Sequence, residues 1–404
     1  MLLSTLEAPQ LLNQLNIHLF LANAYLNTIS MIFFVEQYCK MGYYINNNLF
    51  LFRKDGRFIH MDELKTLSQV KGYQTANDRL FYSAQHDEIL AGATTDIYFI
   101  RTMEILEHMN LAHTEVVAEI FARKPGMLAG VQEVFNILAD KNVEIWSLKE
   151  GETFEPKETI MRIKGSYDEF GKFETVMLGC LASSSAWATA ARECKEACNG
   201  KQLLCFGARH VHPALAPVME RAALVGGADN ASCILGAKLF GKEPSGTVPH
   251  AAFLIAGDTV AVAKAYDESM PVSDPRIILI DTFKDEAEEA VRVAEFLGDK
   301  LYGIRLDTPS ERGGVTPALV EEVKARLCKA GFPHVKIIVS GGLYPEKIRQ
   351  LAQAGVDSFG VGSYISGAQP IDMTMDIKEV NGKPIAKRGR IPGIIDNPKL
   401  IKVK

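Results

Sequence analysis

The residues of this chain whose types can do chemistry stand at the ends of short apolar runs. Asp281 closes the run 277–281 and Asp307 closes the run 302–307, in the strings Ile-Asp-Thr-Phe and Ile-Arg-Leu-Asp-Thr. Carboxylates on consecutive run ends can hold Mg²⁺ or stabilise developing positive charge. The plainer alternative is helix N-capping, but Asp285 is the better cap for the helix that follows Asp281. Arg305 alternates with Asp307 and so shares its face of an extended strand, which suits an anion-and-metal site or, alternatively, an internal salt bridge. The last two runs end in Ser340-Gly341-Gly342 and Gly360-Val361-Gly362-Ser363. Glycines there let backbone N–H groups approach an anion, and the helix start behind them adds partial positive charge.

Two further loops carry reactive types. Phe206-Gly207-Ala208-Arg209-His210-Val211-His212-Pro213 offers an aromatic face, a guanidinium and two imidazoles. The imidazoles lack a clear third metal ligand, so Arg209 reads as a partner for a substrate carboxylate. Pro244-Ser245-Gly246-Thr247-Val248-Pro249-His250 is turn-rich and leads into a helix. His250 stands near that helix's start, where a phosphate on its ring would be favoured. Taken alone, such a histidine is more often a surface or capping residue.

These loops need a frame, and the second half of the chain supplies an alternating one. Strands are expected at 203–207, 223–226, 277–281, 302–307, 335–340 and 358–362, with helices after Pro213, through Leu239, and at 285–297, 317–329 and 345–354. Short apolar runs followed by amphipathic helices imply parallel strands joined by right-handed crossovers. No Gly-x-Gly-x-x-Gly follows a first strand, which argues against a dinucleotide-binding sheet. Polar, Gly-rich strand ends favour a barrel, whose chemistry sits at that end and whose last two loops recurrently bind phosphate. Earlier in the chain, helical periodicity over 87–107, strands at 115–122, 144–147 and 160–163, a helix at 132–141 and a long Ala/Ser-rich helix at 173–196 read as an α+β domain.

Composition bounds the rest. The chain has 404 residues, is 47% hydrophobic and carries a net charge of −5, with no long basic run. Nucleic acid, which needs clustered cations, is a poor partner. Seven cysteines without a C-x-x-C pair fit a reduced, cytoplasmic setting, with Cys194 and Cys198 as free thiols rather than zinc ligands. Residues 1–76 differ from the remainder. No charge other than a neutral His18 lies between Ala8 and Val35, and 17–35 is mostly apolar. Asn23, Asn27, Thr28 and Ser30 interrupt that stretch, so no membrane segment is expected. The segment reads as an accessory helix, or as an extension from an upstream start codon ahead of Met41 or Met61.

Taken in order, the motifs resemble nicotinate phosphoribosyltransferase in its shorter archaeal and bacterial form, over about 77–390. The blocks are Asp96-Ile97-Tyr98-Phe99 with Arg101-Thr102, Phe173-Glu174-Thr175, Phe206-Gly207-Ala208-Arg209 and Gly226-Gly227-Ala228-Asp229, followed by Gly246-Thr247-Val248-Pro249-His250, Arg305-Leu306-Asp307-Thr308, Ser340-Gly341-Gly342-Leu343 and Phe359-Gly360-Val361-Gly362. The resemblance implies an α/β fold of the type II phosphoribosyltransferase kind: an N-terminal α+β sandwich (77–199), an irregular (β/α) barrel (200–370) and a tail (371–404) that returns to the first domain. It implies transfer of phosphoribose from phosphoribosyl pyrophosphate to nicotinate, coupled to ATP hydrolysis, in NAD synthesis. By the same resemblance His250 is the phosphorylated histidine, and Tyr98 and Phe206 sandwich the pyridine ring from two subunits of a dimer. Thr247, Arg209 and Arg305 then contact nicotinate or the phosphoribosyl group; Asp229, Asp281 and Asp307 surround ribose and Mg²⁺; and Gly341, Gly342, Gly362 and Ser363 cradle phosphate.

In two respects the chain departs from the family pattern. Related archaeal forms carry a Cys-rich zinc knuckle after the barrel, whereas no cysteine follows Cys328 here, so zinc is not expected. The stretch before Asn77 has no counterpart. The rivals are quinolinate phosphoribosyltransferase, which needs no ATP and a denser basic pocket, a nicotinamide-using enzyme, and a non-catalytic phosphosugar-binding barrel. The His250 block and the absence of a clear Arg/Lys cluster argue against the first, the loop near Asp229 with the Gly-Thr-x-Pro-His block against the second, and His250 with Asp281, Arg305 and Asp307 against the third.

Overall fold

The alternation of apolar runs and amphipathic helices folds as a parallel sheet backed by helices, and the earlier alternating strands fold as an antiparallel one. The computed structural model describes residues 51–52, 58–59, 63–75, 79–80 and 82–404. The chain divides into two units, Met1–His60 and Met61–Lys404. Of the first unit only the antiparallel pair Leu51–Phe52 and Phe58–Ile59 is described. The expectations for the apolar stretch 17–35 and for starts at Met41 or Met61 lie outside the described residues.

In the second unit the elements run in this order. Helix α1 (Ile97–His108) precedes strands β1 (Glu115–Ala122), β2 (Val143–Ser147) and β3 (Thr159–Ser166), and then the long α2 (Glu174–Ala197). Next come β4 (Gln202–Cys205), α3 (Ala216–Val225), β5 (Asn230–Ala231), α4 (Ile234–Leu239), α5 (His250–Ala256) and α6 (Thr259–Ser269). The pairs β6 (Arg276–Leu279) with α7 (Glu286–Leu297), β7 (Leu301–Leu306) with α8 (Pro317–Lys329), and β8 (Lys336–Ser340) with α9 (Pro345–Ala354) follow, then β9 (Ser358–Val361). The chain closes with β10 (Met373–Val380) and β11 (Ile401–Lys402).

The parallel sheet has the order β6-β7-β8-β9-β4-β5. It curls as a half-barrel whose edges are β6 and β5, so the expected irregular barrel is realised without hydrogen-bonded closure among the described residues. Strands β8 and β9 are buried on both faces, which is why they read as continuous apolar runs. The helices start and stop where the sequence signals it. Asp285 accepts from the amides of Ala287 (3.1 Å) and Glu288 (3.3 Å) to begin α7, and Thr316 with Pro317 begins α8. Gly355, at φ +101°, ends α9.

The antiparallel sheet pairs β10 with β1, β1 with β3, β3 with β2, and β2 with β11, so the chain's last strands complete the sheet begun by its first. Buried Glu119 of β1 accepts from the Arg162 Nε (2.9 Å) and from the Ile395 amide (3.3 Å), pinning the tail. The Ala/Ser-rich helix joins both layers. Met177 and Leu181, near the start of α2, belong to the antiparallel sheet's core, whereas Ala188, Ala191 and Cys194 belong to the parallel sheet's core. Small residues on that face admit close neighbours. A Cβ on Gly226, just after α3, would strike the Ala188 carbonyl oxygen. Cys194 and Cys198 are free thiols in this packed region, burial pushing both up to about 12.

Two expectations need correction. Residues 223–226 do not form a strand: Ala223 to Val225 finish α3, and the strand is β5, a few residues later. Ala-Ala-Leu-Val-Gly-Gly is short and apolar in either conformation, so periodicity cannot decide it. The helical stretch 87–107 is interrupted, with His86–Leu90 and α1 separated by turns around Gly92 at φ +86°. Among the described residues no helix is long and apolar enough to cross a membrane.

The close approach of α2 and α3 gives a first prediction. Gly226→Ala should lower stability by about 1–3 kcal/mol, read as a lower urea midpoint with an unchanged slope. An unshifted midpoint would mean the two helices are not packed to that distance.

Candidate functional site

The C-terminal ends of the parallel strands bring most of the singled-out residues to one mouth. Arg305 leaves β7 half-buried and is held by three hydrogen-bonded neighbours. Its Nε donates to Ser340 Oγ (2.8 Å), one terminal nitrogen to Thr247 Oγ1 (2.8 Å) and the other to Asp307 Oδ2 (2.9 Å). Ser340 Oγ in turn donates to Asp307 Oδ1 (2.8 Å). The ends of β7 and β8 and the 244–249 loop are thereby joined through one guanidinium, whose planar fork suits such a junction. The guanidinium carbon also lies 5.7 Å from the centre of the Phe206 ring, within cation–π range.

Beside this group stands a second pair. His250, first residue of α5, places Nε2 3.2 Å from Asp281 Oδ2. The Asp281 side chain is fully buried, whereas His250 remains 39% exposed, so the imidazole faces the mouth and the carboxylate lies behind it. Burial pushes the Asp281 carboxyl up from its ordinary 3.8; the His250 imidazole opposes this and the Asp307 charge adds to it. Asp281 Oδ1 and Thr282 Oγ1 are buried without a hydrogen-bond partner. An unpaired buried carboxylate oxygen is costly, which marks this spot as built for something other than stability.

The glycine loops close the mouth. Gly341 and Gly342 take φ of +89° and +60°, conformations that favour glycine, and a Cβ on Gly341 would sit 2.9 Å from Asp307 Oδ1. Gly360 lies against the Phe206 ring, leaving no room there for a side chain. Gly362 packs under Phe206 and His210, a Cβ falling 2.7 Å from His210 Cε1. Ser363 is exposed and opens a short helical turn, and Arg209 is exposed in the turn after β4.

Other singled-out residues lie elsewhere. Asp229 is not at the mouth. It precedes β5 at the opposite end of the sheet, where its Oδ2 accepts from the Leu203 amide (2.7 Å) and from Lys195 Nζ (2.6 Å). Asp357 does the same before β9, accepting from the Ile337 amide (3.0 Å), so both are strand-start anchors. Tyr98, on α1, is 52% exposed with its ring 4.3 Å from that of Phe99. No ring contact joins it to Phe206 within the described residues of one chain. His212 accepts from the Ala214 amide at 3.2 Å, as a turn residue does.

Sequence reasoning passed over three participants. Ser340 bridges Arg305 and Asp307, yet in the sequence it is only the residue before a glycine pair. Thr282, with its unpaired hydroxyl, follows Asp281 directly. Glu174, at the start of α2 near Tyr98, has its carboxyl pushed up to about 7 by burial, with Asp376 adding. Among the described residues no group of three or more His, Cys, Asp or Glu is gathered to hold a metal ion.

Residues 96–185 match the quinolinate phosphoribosyl transferase N-terminal domain, and 187–376 match the C-terminal domain of the same family. A nicotinate phosphoribosyltransferase of Mycobacterium tuberculosis is 30% identical over 248 residues, covering 59% of this chain and 54% of that protein. The nicotinate phosphoribosyltransferase of Bacillus subtilis is 32% identical, covering 54% of this chain and 44% of that protein. The chain thus spans about half the length of these curated relatives. The solved nicotinate-nucleotide pyrophosphorylase of Pyrococcus furiosus is 46% identical with a TM-score of 0.76, over 78% of this chain and 82% of that one. With both domain models matched in order and the strand-end residues gathered at one mouth, the chain belongs to the nicotinate/quinolinate phosphoribosyltransferase family.

Proposed function

We propose that this chain is a nicotinate phosphoribosyltransferase, forming nicotinate mononucleotide and pyrophosphate from nicotinate and phosphoribosyl pyrophosphate, with ATP hydrolysis coupled through His250. The observation that carries this reading is the His250–Asp281 pair at 3.2 Å, an imidazole facing the mouth with a buried carboxylate behind it. The carboxylate orients the ring and stabilises the charge it acquires when its other nitrogen attacks the γ-phosphoryl group of ATP, the bond to the β-phosphate breaking and ADP leaving. Asp307, with the Asp281 carboxylate behind His250, would add negative charge that stabilises the positive charge developing on the ribose as pyrophosphate leaves. Phe206 offers a face for the flat pyridine ring, and Arg209 is free to reach the nicotinate carboxylate. The glycine loops at Gly341, Gly342, Gly362 and Ser363 offer backbone N–H groups to phosphate. Tyr98, away from the mouth in one chain and exposed, would complete the ring site from a second subunit of a homodimer.

Mg²⁺ fits this donor set, because the unpaired Asp281 Oδ1 is a hard oxygen ligand and Mg²⁺ commonly takes only one or two protein carboxylates beside substrate phosphates. Asp281, with Asp307 beside it, would hold the ion, which would supply charge neutralisation of the departing pyrophosphate. A second reading, quinolinate phosphoribosyltransferase, draws on the Pyrococcus furiosus pyrophosphorylase likeness. Against it stands the engagement of Arg305 by Thr247, Ser340 and Asp307, which leaves that cation little for a second carboxylate.

Product analysis with nicotinate, nicotinamide and quinolinate in parallel, each with and without ATP, tests the assignment. Nicotinate mononucleotide formation stimulated by ATP is expected, and turnover of quinolinate alone would overturn it. His250→Ala should lose the ATP stimulation while keeping basal transfer. Asp281→Asn separates function from stability. Its turnover should fall about a hundredfold. Its melting temperature should exceed wild type at pH 7, because the raised carboxyl pKa means that the ionised group opposes folding above that value. The advantage should shrink as the pH falls and vanish below the unfolded-state value of 3.8, where Asp281 is protonated in either state. A pH-independent difference, or a lower melting temperature at pH 7, would contradict that account.

A further inference from the structure

Glu220, on α3, is wholly buried and makes no ion pair among the described residues. Its charge is met by four donors from two loops. Oε1 accepts from the Gly207 amide (3.1 Å), the Ala208 amide (3.1 Å) and Ser232 Oγ (3.0 Å), and Oε2 accepts from the Cys233 amide (2.5 Å). Gly207 lies directly on α3, where a Cβ would fall 2.7 Å from Met219 Cε. One carboxylate therefore ties the loop after β4, which carries Phe206 and Arg209, to the loop after β5. That second loop is bound onward: the Ser245 amide donates to the Ala231 carbonyl (2.9 Å), at the start of the run to Thr247 and His250.

We propose that Glu220 is a positioning residue for the pyridine end of the substrate, setting Phe206 and Arg209 against the Thr247 loop without touching substrate itself. The role attributed to those residues rests on the activity proposed above. The Gly341 loop lies on another strand and is not bonded to Glu220, and the Gly362 loop meets the anchored segment only through Phe206 and His210, so loss of Glu220 should weigh more on the pyridine end than on the phosphoribosyl donor.

The test compares Glu220→Ala, Glu220→Gln and Ser232→Ala with Glu289→Gln, which alters another fully buried carboxylate, paired with Arg292 on α7. In Glu220→Gln the amide oxygen can keep Gly207, Ala208 and Ser232, but its NH2 faces the Cys233 N–H, donor against donor. Hydrogen exchange of the unliganded proteins should therefore quicken at 232–234 alone in Glu220→Gln, and at both 206–209 and 232–234 in Glu220→Ala. In steady-state kinetics the KM for nicotinate should rise about tenfold in Glu220→Ala and less in Glu220→Gln and Ser232→Ala. The KM for phosphoribosyl pyrophosphate should stay within about twofold of wild type. Glu289→Gln should show no such split. Exchange unchanged at both loops, or the two KM values rising in parallel as for a generally loosened protein, would overturn the proposal. Should the wild type turn over no pyridine acid, the activity reading fails, while the exchange arm still decides whether Glu220 anchors the two loops.

Discussion

The mouth of the half-barrel depends on the Arg305 guanidinium being satisfied by Thr247, Ser340 and Asp307 together. Strand pairing already sets Asp307 beside Ser340, and the guanidinium adds the loop residue Thr247 to them. A half-buried cation with a single partner would be costly, whereas this one has a carboxylate and two hydroxyls in the geometry of its fork. The arrangement also draws the 244–249 loop over the strand ends, which brings His250 to Asp281. Two positions that differ by three in sequence, Thr247 and His250, are thus held by different strands, β7 through Arg305 and β6 through Asp281.

That organisation bears on how a chain with net charge −5 would receive the anionic ligands proposed for it. Long-range attraction does not serve it, so capture must be local. The left-handed conformations of Gly341 and Gly342 present backbone N–H groups at the mouth, and exposed Arg209 supplies a positive charge in the turn after β4. Arg305, already committed to the protein, acts chiefly as a strut. The buried carboxylates carry the opposite tension: Asp281 keeps an oxygen without a partner in the protein, an arrangement that folding alone does not favour.

Much of this was legible in the sequence because half-barrel chemistry gathers at strand ends, and strand ends are visible as polar or glycine-rich breaks after apolar runs. Asp281, Arg305, Asp307 and the two glycine loops follow from that rule. Asp229 came from the family resemblance and not from that rule, and it precedes β5, where it accepts from a neighbouring strand's amide. Glu220 was illegible for a different reason. A glutamate within an amphipathic helix resembles a solvated position, and only the tertiary fold turns it towards the Gly207, Ala208 and Cys233 amides. Ser340 was hidden by the glycines that follow it.

The central claim is that ATP is coupled to transfer through His250. Brief incubation with γ-labelled ATP, followed by alkaline work-up and peptide mapping, measures it directly. The account predicts acid-labile phosphate on the peptide containing His250, discharged when nicotinate and phosphoribosyl pyrophosphate are added and absent from His250→Ala. No acid-labile label in the wild type, or label that survives in His250→Ala, would contradict it.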